Sequence, residues 1–194
     1  MTDSLARFLS FIFNPIILLV TIPFFLLYKL YNDFVAAVLW TGYSFLFLLG
    51  MTVFLAIAVQ RKIFTDMDVS KREQRPLLFL VSFVAGVLYI IGLLVWNGPH
   101  LLIVISLGVM LGIVADSFIN RRIKASIHVA TVTALLFALA LVYNGYYLLT
   151  LLLIPLVGWA RVKIKRHTLP ETVVGGLLGI LISLCVYGLN VILF

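Results

Sequence analysis

Apolar residues fill this chain in seven long blocks, too continuous for the alternation of a half-buried strand. The blocks cover about residues 8–30, 34–59, 77–96 and 101–119, a fifth that opens from the segment Lys124 to His128 and reaches Tyr143, then 146–160 and 171–194. Short turns separate them on one side, at Tyr31-Asn32-Asp33, Asn97-Gly98-Pro99-His100 and Asn144-Gly145. These are the residue types that tight turns favour. On the other side lie three longer polar loops, near residues 60–76, 120–128 and 161–170. A membrane-crossing helix needs roughly 20 apolar residues. The pattern therefore predicts an all-α, polytopic transmembrane helix bundle of about six to seven spans, paired as hairpins. Asn14-Pro15 and Pro23 interrupt the first block, which a span tolerates when neighbouring helices satisfy the freed carbonyls.

Composition agrees with that class. Hydrophobic residues make up 64% of the 194 positions, charged residues 11%, and mean hydropathy is +1.23. A soluble domain carries roughly twice that charge. No repeat or composition shift divides the chain, so a single integral-membrane domain over residues 1–194 is expected. The segment before Phe8 is short and polar, and the block after it is too long for a signal-peptide core. It reads as a retained first span. The lone cysteine, Cys185, sits among apolar neighbours and reads as a small packing residue.

Sorting the cations by side changes the picture most. Arg7, Arg61, Lys62, Lys71, Arg72, Arg75, Arg121, Arg122, Lys124, Arg161, Lys163, Lys165 and Arg166 all fall on one face, and Lys29 alone on the other. Cytoplasmic loops carry the Lys and Arg excess. That rule places the loops and the N-terminus on the cytoplasmic face and, with an odd span count, the C-terminus outside. A basic balance in so apolar a chain implies a lipid bilayer and anionic headgroups as partners rather than nucleic acid; self-association is left open.

Topology alone would not set histidines and a serine at fixed offsets from those cations. The first loop ends in Lys71, Arg72 and Arg75-Pro76, the second reads Lys124-Ala-Ser126-Ile-His128, and the third places His167 six positions after Arg161 and Glu171 four after that. Guanidinium forks bind phosphate oxygens bidentately. Phosphoryl transfer needs that charge neutralised, a nucleophile in line, and a proton donor for the leaving oxygen. Two imidazoles among several arginines supply these parts with no metal or other cofactor.

These residues resemble the motifs of the type 2 phosphatidic acid phosphatase superfamily, the membrane lipid-phosphate phosphatases, whose motifs read Lys-x6-Arg-Pro, Pro-Ser-Gly-His and Ser-Arg-x5-His-x3-Asp. Arg75-Pro76 matches the end of the first, Ser126 and His128 the second, and Arg161 and His167 the third, in order over about residues 66–179. The chain departs from the family at several positions. Asp68 stands where the first motif has lysine, leaving that role to Lys71 or Arg72. Ala125, Ile127, Ala160 and Glu171 replace the motif proline, glycine, serine and aspartate. The resemblance implies a phosphatase-like helical core and a divergent lipid-phosphate phosphatase. It implies His167 as nucleophile through a phosphohistidine, Glu171 orienting its ring, and His128 as general acid. Lys71, Arg72, Arg75, Lys124, Ser126 and Arg161 would grip the phosphate of a glycerolipid or polyprenyl mono- or diphosphate.

Other readings compete. Thr168-Leu-Pro-Glu171 is also a helix-capping box with proline in the first turn, and one carboxylate can serve both roles. Asp116, inside the fourth block, is costly in a membrane and is expected to pair with Arg121 or Arg122. Lys163, Lys165 and Arg166 read as a surface facing lipid headgroups. Gly175 and Gly179 form a small-xxx-small packing ridge. Two alternative functions remain. One is a non-catalytic lipid-phosphate binder or transporter. The other is a UbiA-type prenyltransferase in which Asp66 and Asp68 would hold a diphosphate through magnesium.

Overall fold

A computed structural model describes residues 2–142 and 145–193. Eight α-helices follow one another: α1 (Thr2–Ile12), α2 (Pro15–Tyr31), α3 (Phe34–Gln60), α4 (Arg75–Val95), α5 (His100–Ile119), α6 (Ile127–Val142), α7 (Leu153–Lys163) and α8 (Leu169–Leu193). Short 3-10 segments, Arg72–Gln74 and Gly145–Leu152, lead into α4 and α7. No strand occurs among the described residues. The expected turn at Asn144-Gly145 falls in part on Asn144, which lies outside them.

All seven apolar blocks are helical, but they do not all have the length of a span. Among the described residues, five helices are long and apolar enough to cross a membrane, or six if α1 and α2 count as one bent span. α6 has 16 residues, about 24 Å of helix against a hydrocarbon core of about 30 Å. The break between α1 and α2 has a local cause. The Asn14 side chain accepts from the Ile16 N–H at 2.9 Å and its carbonyl accepts from Leu18. Asn14 is thus the N-cap of a new helix with proline at its first position, and the axis bends by 48°.

Helix ends follow the same logic. α3, α4 and α7 each close with a residue at positive φ: Lys62 at 59°, Asn97 at 50° and Lys165 at 58°. At the end of α7 the Lys165 N–H donates to the Val162 carbonyl and the Arg166 N–H to the Arg161 carbonyl. This paired closure is a Schellman motif, which reverses the chain within a few residues.

The chain divides into two compact units, Leu19–Ser117 and a second built from Met1–Leu18 with Phe118–Phe194. In the first, Leu27, Ala37, Leu93 and Leu102 bring α2, α3, α4 and α5 together, surrounded by Phe24, Trp40, Tyr43 and Tyr89. The polar loop after α3 folds back on the same unit, burying Phe64 and Val69 beside Ala58. In the other unit, Val129 and Val132 of α6 pack against Val157 of α7.

The tightest contact of that second unit is between α6 and α8. A Cβ at Gly175 would lie 2.6 Å from the Ser126 carbonyl oxygen, and one at Gly179 would lie 2.5 Å from that of Ala130. One turn on, Ser183 donates its hydroxyl to the Ala134 carbonyl at 2.7 Å. Small residues at four-residue intervals let the two backbones meet, as helices in lipid require when no hydrophobic force draws them together. Gly179→Ala is expected to lower stability in detergent by roughly 1–3 kcal/mol through overpacking. Gly188→Ala, with nothing within 4 Å of its Cβ, should be neutral or slightly stabilising; thermal unfolding of the two variants checks this.

Candidate active site

The glycine contact sets the second and third polar loops against each other. Ser126 is the N-cap of α6, its carbonyl accepting from Ala130, and its own N–H donates to the Glu171 carbonyl at 3.0 Å. α7 ends at Lys163 and α8 starts at Leu169, so the Schellman turn delivers His167 and Thr168 directly to the start of α8. The His167 N–H closes that turn on the Arg161 carbonyl at 3.3 Å.

Glu171 is the hub of what results. Its Oε2 accepts from the Thr168 N–H at 3.0 Å, and His167 Nδ1 lies 3.0 Å from the same oxygen. The Glu171 half of the capping box and the histidine contact are therefore both present and share one oxygen. A carboxylate in the first turn of a helix is also favoured by the positive end of the helix dipole. Lys124 Nζ stands 3.9 Å from Oε2 and donates to the Arg166 carbonyl at 3.0 Å. With Nδ1 turned to a carboxylate, the ring presents Nε2 as its basic nitrogen.

An open cleft of about 520 Å³ lies here, lined by Lys124, Val162, Lys165, Arg166, His167, Thr168, Leu169 and Glu171. Lys165 and Arg166, read from the sequence as headgroup-facing, belong to its wall. Basic residues one and two positions before the histidine are the signal that could have placed them there. His128 is the second residue of α6 and is buried. Ser126 is fully buried, and its hydroxyl makes no hydrogen bond among the described residues although an N-cap serine ordinarily uses it. A buried polar atom left so costs about 1–3 kcal/mol.

Arg161 is buried in the last turn of α7, and its guanidinium donates to the Ser10 hydroxyl of α1 at 2.8 Å. The two residues are 151 positions apart, so no local pattern announced the contact.

The first-loop residues lie in the other unit. Lys71 and Arg72 are exposed, the N-cap and first residue of the 3-10 turn that leads into α4. Arg75 is 1% exposed; its Nε donates to the Val69 carbonyl at 3.3 Å and a terminal nitrogen lies 3.9 Å from Asp116 Oδ2. Asp116 thus pairs with Arg75, not with Arg121 or Arg122 as expected. The guanidinium of Arg121 lies instead over the Phe118 ring. Asp66 accepts from the Asp68 N–H and the Ser70 hydroxyl, both at 3.0 Å, a local turn that already engages its carboxylate. Among the described residues no group of three or more His, Cys, Asp or Glu is placed to hold a metal ion.

The fold defines the chain as an all-helical protein with several helices able to cross a membrane. No protein-family model, curated protein or solved structure matches it.

The shared oxygen of Glu171 separates cap from chemistry. Glu171→Gln keeps an acceptor for Thr168, since glutamine serves in a capping box, but removes the charge facing His167. Thermal stability should stay within about 1 kcal/mol of the parent, whereas any activity that uses His167 should fall by on the order of 10²- to 10⁴-fold. Full activity in Glu171→Gln, with stability lost only in Glu171→Ala, would assign the residue to the cap alone. In the other unit, Asp116→Ala strands the Arg75 charge and should destabilise by about 3–5 kcal/mol, with much of that recovered in Asp116→Leu/Arg75→Met; denaturation in detergent reads both.

Proposed function

We propose that this protein is an integral-membrane phosphatase that removes phosphate from a lipid phosphate or diphosphate, a divergent relative of the type 2 phosphatidic acid phosphatases. One observation carries the reading: His167 and Glu171 form an imidazole–carboxylate pair at 3.0 Å in a cleft walled by Lys124, Lys165 and Arg166. A structural capping box needs neither the histidine nor the cations.

In this reading the phosphoryl group sits in the cleft with its charge countered by the cationic wall. His167 Nε2 attacks phosphorus, the bond to the lipid oxygen breaks, and His128 as imidazolium gives that oxygen its proton. Glu171 stabilises the charge that develops on the His167 ring. Water then attacks the phosphohistidine and gives its proton to the now neutral His128, releasing phosphate and restoring both rings. The Ser126 hydroxyl, spent on no cap, is a donor for a phosphate oxygen. Arg161, in the same unit as the cleft, takes a phosphate-binding role by the motif match. The cation bias of the loops supports a cytoplasmic facing for this chemistry.

Purified protein in detergent should release phosphate from a short-chain lipid phosphate in the presence of a metal chelator. His167→Ala and His128→Ala should each lower that rate by at least ~10²-fold, and acid quenching of the parent should trap an acid-labile phosphoprotein. Tight binding of the lipid phosphate without release would favour the binder or transporter. Activity that needs magnesium and is lost in Asp66→Ala would favour the prenyltransferase.

A further inference from the structure

α1 does not use its surface as a span would. At about 100° per residue, Ala6 and Ser10 share one side, and both are buried. Asp3, Ser4 and Arg7 of the first two turns fall together on a second side, all exposed, with Phe11 of the last turn, 68% exposed, at its border with the third. Leu5, Phe8 and Ile12 make a third, exposed at 50%, 58% and 39%. A helix deep in hydrocarbon has no use for a strip of Asp, Ser and Arg, and a helix in water has none for the third side. Three such sides fit a helix with protein on one flank, water on another and the acyl boundary on the third.

The protein flank of α1 meets α7. Asp3 lies 3.7 Å from Lys163, and Ser10 accepts from Arg161. These contacts hold α1 against the last turn of α7, at the end that carries the basic residues of the third loop. The Asn14-Pro15 cap then lets the chain turn into α2.

We infer that α1 is an in-plane membrane helix that seats Leu5, Phe8 and Ile12 at the headgroup–acyl boundary of the bilayer, and is not the first half of a span. Its partner is the lipid surface. The inference does not depend on the phosphatase reading. It assigns α1 a second task, because the hydroxyl that meets Arg161 is held at the depth of the lipid headgroups.

Site-directed spin labelling tests it on the full chain. Leu5→Cys, Phe8→Cys, Ile12→Cys and Ser4→Cys are each made in a Cys185→Ala background and labelled with a nitroxide. The proteins are reconstituted in vesicles of phosphatidylcholine and phosphatidylglycerol, and depth is read from the ratio of oxygen to nickel-chelate collisions. All four positions are exposed, so the label displaces no packed side chain. Labels at Leu5, Phe8 and Ile12 should report one depth within a few ångström, shallow in the acyl region, with the label at Ser4 open to the nickel chelate. A depth that increases by roughly 10 Å from Leu5 to Ile12 is the signature of a span and would overturn the inference. Nickel access at all three apolar positions would overturn it as well.

Discussion

Gly175 and Gly179 let α8 touch the backbone of α6, and the arrangement of the candidate site descends from that contact. With no Cβ in the way, Gly175 lies against the Ser126 backbone, close enough for the Ser126 N–H to reach the Glu171 carbonyl. Two polar loops far apart in the chain are thereby fixed at one level. Lys124 can then span from Arg166 to Glu171, and His167 can close on a carboxylate that is already held by a backbone N–H. A side chain at either glycine would push the helices apart by more than the tolerance of a hydrogen bond.

The Glu171 carboxylate couples the cap of α8 to the orientation of an imidazole. Its oxygen first satisfies an orphan N–H of α8, which fixes its position at little cost in side-chain freedom. It is then presented, already ordered, to the imidazole. A ring oriented by a pre-positioned partner loses less freedom in forming that contact than one that must find it.

Much of this was legible in the sequence where the signal is local. Unbroken apolar blocks mark helices because lipid demands internally satisfied backbones, and all seven are helical. Thr168-Leu-Pro-Glu171 marks a helix start because its parts lie within one turn, and the small residues four apart mark a packing ridge for the same reason. What was not legible depends on distance along the chain or on chain length. Asp116 meets Arg75 rather than its neighbours, and Arg161 meets Ser10, because tertiary packing chooses among many cations of equal character. The loop after α3 is the longest polar stretch, yet Phe64 and Val69 anchor it; a few apolar residues scattered in a charged run have no periodicity to reveal which of them are buried. α6 and the α1–α2 break reduced the span count, since a hydropathy block records composition and not where a helix starts or bends.

The one-sided charge looks at first like a matter of topology alone, but burial separates the cations into two kinds. Lys62 and Lys71 are exposed, which is all that orientation in a membrane requires of them. Arg75 and Arg161 are buried to within 2% of their surface, and a buried guanidinium is costly unless partners are built for it. Asp116 and the Val69 carbonyl serve Arg75, and Ser10 serves Arg161. A topological signal would work equally well from an exposed lysine and would need none of these. The buried arginines therefore answer to more than topology, and only the exposed cations are independent witnesses to which side of the membrane the loops face.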